Sequence, residues 1–214
     1  LTGLEIYKLL PQTNCKECGF PTCLAFAMKL AAKQAELKAC PYVSEEAKAK
    51  LEAASAPPIR LVEISGEDAK LAVGNETVLF RHEKTFYHRP GLFLRVKDSL
   101  PAEEIKQQVA LADAYKTDYV GISLALDGFA VEAASGDPAA YAAAVKAVRA
   151  VSKKPLILLA SAPDVAKAGL EAASGTRPLL HGANAANWEA MAEVAKAAKV
   201  PLAVRADTLD DLAA

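Results

Sequence analysis

Thr13-Asn14-Cys15-Lys16-Glu17-Cys18-Gly19-Phe20-Pro21-Thr22-Cys23, answered downstream by Ala39-Cys40-Pro41-Tyr42, contains every cysteine of this 214-residue chain. The spacing is Cys15-x2-Cys18-x4-Cys23-x16-Cys40. Thiols this crowded, in a chain with no secretory signal, point to metal binding rather than disulfides, because a reducing compartment keeps them free. The first forty residues are therefore the chemical end of the molecule, and they predict a small helical domain built around a metal group.

Neighbouring residues help choose the metal. Gly19 and Pro21 permit tight turns through which three sulfurs converge from one loop, and amides freed there can donate to inorganic sulfide. Cys23 opens an amphipathic helix expected over residues 24–38, whose N-terminal dipole favours thiolate charge. Pro41 ends that helix at Cys40, since the residue before a proline is pushed out of α conformation. Structural zinc usually takes two short ligand pairs, whereas this chain has three clustered cysteines and one distant one. Spacing thus favours a 4Fe-4S cluster on Cys15, Cys18, Cys23 and Cys40 over zinc, with disulfides least favoured.

Around that nucleus the chain reads as α/β with three segments. Residues 1–56 are the iron-sulfur cluster domain: Thr2-Gly3-Leu4-Glu5 is a capping box ahead of a helix ending before Pro11, and Ser44 with Glu45 and Glu46 caps another to about Ala54. Such a unit is too small to hold together without its metal. Residues 57–90 form a linker, opened by Pro57-Pro58 and expected to hinge, with short antiparallel strands at 59–64, 71–73 and 77–80. Residues 91–214 alternate strands (92–96, 119–124, 156–160, 179–181, 202–205) with helices started at Pro101, Asp137-Pro138, Asp164 and Asn187. Tyr141, Val145 and Val148 form one buried stripe. Repeated βα units imply a parallel sheet, here part of a TIM-type barrel, because a complete one needs roughly 250 residues. Thr208 opens a helix inside which the sequence stops, as expected of a truncated chain.

Composition narrows the function classes. Apolar residues make up 52%, enough for a packed core, while a net charge of −1 and a pI near 6.4 give no basic surface for nucleic acid. No apolar run has the 18 or more residues of a spanning helix, so the expectation is a cytoplasmic protein with no membrane partner. His82 and His88 lie in a charged connector and read as surface or hydrogen-bonding residues. Asp127-Gly128 and His181-Gly182-Ala183-Asn184 each follow an expected strand, where barrel enzymes place chemistry, though turn formation explains both as well. Lys29, Lys33 and Lys38 read as a solvated face, and Gly136-Asp137-Pro138 as a helix cap. No nucleophile, base and orienting residue occur as a set, so no catalytic residue is assigned.

The cysteine segment from Thr13 to Ala27, with Ala39-Cys40-Pro41-Tyr42, resembles the N-terminal iron-sulfur domain of the large (gamma) subunit of the corrinoid/iron-sulfur protein. The stretch Gly74-Asn75-Glu76-Thr77-Val78-Leu79-Phe80-Arg81-His82-Glu83-Lys84-Thr85-Phe86 and the βα repeats beyond it resemble the same subunit. The resemblance implies a methyl carrier of the reductive acetyl-CoA pathway, in which cobalt takes a methyl group from a methyltetrahydropterin and passes it to acetyl-CoA synthase. It implies a 4Fe-4S cluster that reduces Co(II) back to Co(I), and a corrinoid (cobalamin) in a C-terminal domain outside these residues. The implied partners are the small corrinoid/iron-sulfur protein subunit, the methyltetrahydropterin methyltransferase, acetyl-CoA synthase/CO dehydrogenase and a low-potential electron donor. Similar cysteine domains occur in electron-transfer subunits of redox complexes, and a plain electron-transfer subunit without a corrinoid role is the alternative.

Overall fold

The computed structural model describes residues 2–32, 34–55, 59–76, 78, 80 and 82–213. The chain divides into two compact units, Leu1–Arg60 and Leu61–Ala214. The paired prolines of the expected hinge, Pro57 and Pro58, lie outside the described residues.

The first unit is helical. Helix α1 (Gly3–Leu9) starts at the capping box: the Glu5 amide donates to Thr2 Oγ1 at 3.4 Å, and the Thr2 amide donates back to Glu5 Oε2 at 2.7 Å. Helix α2 (Cys23–Ala31) is capped by Thr22, whose hydroxyl accepts from the Ala25 amide at 3.1 Å. Helix α3 (Glu45–Ser55) follows Ser44, whose hydroxyl accepts from the Ala47 amide at 3.2 Å. Ile6 and Leu10, Phe26 and Ala27, and Val43, Ala47 and Leu51 meet in one small core. Phe20 leans on Phe26 with ring centroids 5.4 Å apart.

In the second unit, β1 (Val62–Ser65) and β2 (Lys70–Val73) pair antiparallel. Ser65 exchanges two backbone hydrogen bonds with Arg177, of 2.9 and 3.0 Å, and the Glu67 amide donates to the Lys153 carbonyl at 2.9 Å. Those partners immediately precede two strands of the main sheet, so this hairpin lies at the sheet's N-terminal end. The main sheet contains β3 (Phe93–Lys97), β6 (Gly128–Glu132), β7 (Leu156–Leu159), β8 (Leu179–Ala183) and β9 (Leu202–Val204), all parallel and adjacent in chain order. Between β3 and β6 come helix α4 (Ala102–Ala114) and a separate antiparallel hairpin, β4 (Lys116–Tyr119) with β5 (Ile122–Ala125). Helices α5 (Pro138–Arg149), α6 (Pro163–Ala172) and α7 (Trp188–Ala198) fill the later crossovers, and a short α8 (Leu209–Ala213) follows β9.

One row of strand residues in register, Val96, Val131, Leu158 and Leu180, is fully buried with the helices. Tyr141, Val145 and Val148 of α5 are all 0% exposed, as the 3.6-residue period requires. The Tyr141 ring fits against Gly169 of α6, where an added Cβ would collide with it. Its hydroxyl donates to the Val131 carbonyl at 3.0 Å, and burial pushes its pKa above the usual tyrosine range. Alternate strand residues fall on the opposite face of the sheet, where Arg95 and Lys97 are exposed and Glu132 and His181 half-buried.

Several expectations require correction. The helix over 24–38 stops at Ala31, and Cys40 is reached through an extended Glu36 and a 3-10 turn, Leu37–Ala39. After Ala32 the Gln34 amide bonds the Lys29 carbonyl (2.8 Å), a five-residue closure that ends the α pattern. Residues 119–124 are not a strand of the parallel sheet. Val120 and Gly121 both have left-handed φ, 50° and 77°, so this apolar run folds back as the two-residue turn of β4–β5. The sheet strand is Gly128–Glu132, which the Asp127-Gly128 turn reading had obscured. Of the strand expected at 77–80, Val78 and Phe80 are outside any strand, and Thr77 and Leu79 lie outside the described residues. Helix α6 begins at Pro163 rather than Asp164, and Asn187 precedes α7 without a side-chain cap bond. The parallel sheet is five-stranded rather than a demonstrated TIM barrel.

Candidate metal centre

All four cysteines are free thiols within the first unit. Cys23 and Cys40, each 5% exposed, belong to its core, Cys18 packs on the edge of that core, and Cys15 is exposed. Cys23 is the first residue of α2, where the dipole and free amides favour thiolate charge. Its own amide donates to Asn14 Oδ1 at 2.8 Å, tying the ligand loop to the helix start. Cys40 follows the 3-10 turn, and its amide donates to the Leu37 carbonyl at 3.1 Å.

The loop between α1 and α2 is unusual in its backbone. Gln12, Asn14 and Lys16 have φ of 59°, 50° and 69°, and Gly19 has φ of 82°. Left-handed residues recur in the backbone nests that bind anions in Fe–S sites. A turn from Lys16 to Gly19, closed by a 2.9 Å amide-to-carbonyl bond, presents Cys18 between them. Opposite, the Tyr42 hydroxyl donates to Glu17 Oε1 at 2.8 Å. That bond, then the Glu17 charge, raises the Tyr42 pKa, with smaller contributions from Cys15 and Cys40.

Among the described residues no group of three or more His, Cys, Asp or Glu side chains is disposed to hold a single metal. The donor set nonetheless suits an iron-sulfur group, with four soft thiols in one small unit beside a left-handed loop. Cysteine spacing singled out the four thiols as candidate ligands. It did not locate Asn14, or the Glu17–Tyr42 bond, or the left-handed Gln12 and Lys16; only asparagine's tolerance of positive φ marks one of these in sequence.

Other singled-out residues have structural places. Asp127 precedes β6 at the N-terminal end of the sheet, not the C-terminal end, and its carboxylate accepts from the Leu92 amide (2.8 Å) and the Arg89 guanidinium. Asn184 does follow the C-terminal end of β8, beside Arg205 and Asp207 in a shallow cleft, but its Oδ1 accepts from the Ala186 amide at 2.9 Å as in a turn. His181 is half-buried on β8. The His88 amide, at 3.0 Å, and the Tyr87 amide, at 2.8 Å, both donate to buried Glu76. His82 stacks on Phe80. Lys29 bonds Gln34 on the exposed surface, Lys38 is exposed, and Lys33 lies outside the described residues. Sequence reasoning passed over Asp98, just beyond β3, which is 7% exposed and clasps the loop after β6: its carboxylate accepts from the Ala134 amide (2.8 Å), the Ser135 amide (2.9 Å) and the Ser135 hydroxyl (2.6 Å).

Comparison with known proteins agrees with both halves of this division. Residues 10–42 match the family described as "Putative Fe-S cluster", and residues 61–214 match the CO dehydrogenase/acetyl-CoA synthase delta subunit family. The chain is 46% identical over 213 residues to the corrinoid/iron-sulfur protein large subunit of Moorella thermoacetica, covering 100% of this chain and 48% of that one. It is 43% identical over 215 residues to the acetyl-CoA decarbonylase/synthase complex subunit gamma 2 of Methanosarcina mazei, covering 98% and 46%. With the Methanopyrus kandleri gamma subunit, identity is 36% over 213 residues, covering 99% and 46%. The chain belongs to the CO dehydrogenase/acetyl-CoA synthase delta subunit family, is similar along its whole length to corrinoid/iron-sulfur large subunits and acetyl-CoA decarbonylase/synthase gamma subunits, and spans about half the length of these relatives. No helix among the described residues is long and apolar enough to cross a membrane.

Proposed function

We propose that this chain is the iron-sulfur and βα part of a methyl-carrying subunit of the acetyl-CoA pathway, with one 4Fe-4S cluster on Cys15, Cys18, Cys23 and Cys40. Bound there, the cluster supplies the electron that returns adventitiously oxidised cobalt, held on a corrinoid outside these residues, from Co(II) to Co(I). The observation that carries the reading is the set of four free thiols in one small unit of a chain similar along its whole length to corrinoid/iron-sulfur large subunits.

The chain's own residues prepare the site. Cys23 opens α2, where a helix dipole favours negative charge, Asn14 holds the Cys23 amide, and left-handed Gln12, Asn14, Lys16 and Gly19 shape the loop that carries Cys15 and Cys18. Exposed Cys15 gives an external donor close approach. The second unit, on this reading, contributes five βα units of a TIM-type barrel, and the working partners are the small corrinoid/iron-sulfur subunit, a methyltetrahydropterin methyltransferase and acetyl-CoA synthase, in the cytoplasm. The domain boundary is proposed at residues 57–90, with the cluster domain before it.

Deleting residues 1–56 from the intact subunit tests this. Methyl transfer from freshly reduced Co(I) should survive while reactivation of Co(II) by low-potential donors is abolished. Loss of transfer from Co(I) as well would overturn the repair role.

A further inference from the structure

The β4–β5 hairpin carries an apolar face that the second unit does not cover. Cross-strand register places Thr117 opposite Leu124 and Tyr119 opposite Ile122, so these four share one face, while Asp118 and Ser123 lie on the other. Tyr119 is 69% exposed and Ile122 64%, and exposed Leu111 and Tyr115 lie on and just after α4, immediately before the hairpin. At the tip, Val120 is 83% exposed with a left-handed φ of 50°. Two-residue turns of this kind favour Asn or Asp before glycine, and a β-branched residue at positive φ is strained. Folding alone therefore gives no reason for valine at this position: it is strained, and its side chain packs on nothing. Strain held in an exposed apolar tip points to function.

We infer that the hairpin tip, centred on Val120 with Tyr119 and Ile122 beside it, is an anchor that enters an apolar pocket on another subunit of the same complex. Two observations select that occupant. The relatives of this chain are named as subunits of a multisubunit complex, and this inference rests on reading the chain as one too. Lys116 and Asp118 balance one another, so the hairpin has no basic rim to attract an anionic membrane. A concave, neutral, apolar pocket flanked by hydroxyl or amide groups for Tyr119 is the complementary chemistry.

The test uses the intact subunit, with Val120→Asn and, independently, Ile122→Thr. Val120→Asn gives the turn its preferred residue, so the melting temperature of the isolated subunit should be unchanged or higher. Binding to the purified remaining subunits should weaken about tenfold or more, as expected for a lost apolar anchor. Ile122→Thr, which keeps strand propensity, should weaken the same binding. Equal binding by wild type and both variants would overturn the hairpin's role alone, whereas failure of the wild type to bind any subunit would also overturn the complex-subunit reading. Hydrogen exchange at residues 115–125 should be fast in the isolated intact subunit and slow in the complex. Slow exchange before assembly would show that the subunit's own chain covers the face, and flotation of the wild type but not Val120→Asn with lipid vesicles would show a membrane contact; either overturns the proposal.

Discussion

Asn14 Oδ1 accepts the amide proton of Cys23 at 2.8 Å, fixing the loop that carries Cys15 and Cys18 to the first turn of the helix that Cys23 opens. Removing the acceptor leaves a part-buried amide without its partner. Asn14→Ala is expected to cost roughly 1–2 kcal/mol of first-unit stability. The check is cluster retention: iron loss to a chelator, followed by absorbance, should run several times faster in Asn14→Ala, and unchanged kinetics would remove Asn14 from the site.

The first unit's core is small and includes two of the four cysteines, Cys23 and Cys40. Cys40→Ala should therefore abolish cluster binding and unfold residues 1–56 while leaving the second unit's cooperative unfolding in place, shifted by less than about 0.5 kcal/mol because the substitution leaves that unit's own core unchanged. Limited proteolysis with far-UV circular dichroism checks this. Loss of the parallel sheet in the same variant would contradict the division into two units.

Asp98 receives three donors from the loop after β6. Asp98→Ala strands those donors at the C-terminal end of the sheet, and the expected loss is roughly 2–4 kcal/mol of second-unit stability in urea unfolding, with Asp98→Asn losing less. Equal stability of both variants and wild type would show that the clasp is not held.

Glu76 gives the second unit an acid sensitivity. Burial raises its pKa, but the amides of Tyr87 and His88 outweigh burial and bring it below the ordinary value of 4.5. A carboxyl whose folded pKa is lowered adds stability that is present above its unfolded value and is lost as pH falls through the folded value. Wild type should therefore lose stability relative to Glu76→Gln below pH 4.5 and hold its advantage above it. Parallel pH profiles of the two melting temperatures would contradict this.

What the sequence made legible divides by physical cause. Local signals carried through: the Thr2 and Ser44 caps, the Asp137 cap with Pro138, and the α5 stripe all depend on neighbours within one or two turns. Long-range choices did not. Tyr119-Val120-Gly121-Ile122 has the composition of a buried strand, and only the left-handed Val120 reveals a turn. Gly128-Phe129-Ala130-Val131-Glu132 has the weaker strand signal yet occupies the sheet, because its partners Phe93 to Lys97 and Leu156 to Leu159 supply the pairing. At the candidate metal centre the cysteines stand out by spacing, whereas Asn14 and Tyr42 act through contacts that only the folded loop creates.

The central claim is that Cys15, Cys18, Cys23 and Cys40 carry one cubane cluster. Iron and acid-labile sulfide, measured on protein purified anaerobically and read with the low-temperature EPR spectrum of the dithionite-reduced form, test it most directly. The expected result is about four iron and four sulfide per chain, with a reduced-cluster signal that disappears in Cys40→Ala. One zinc per chain with no labile sulfide would contradict it.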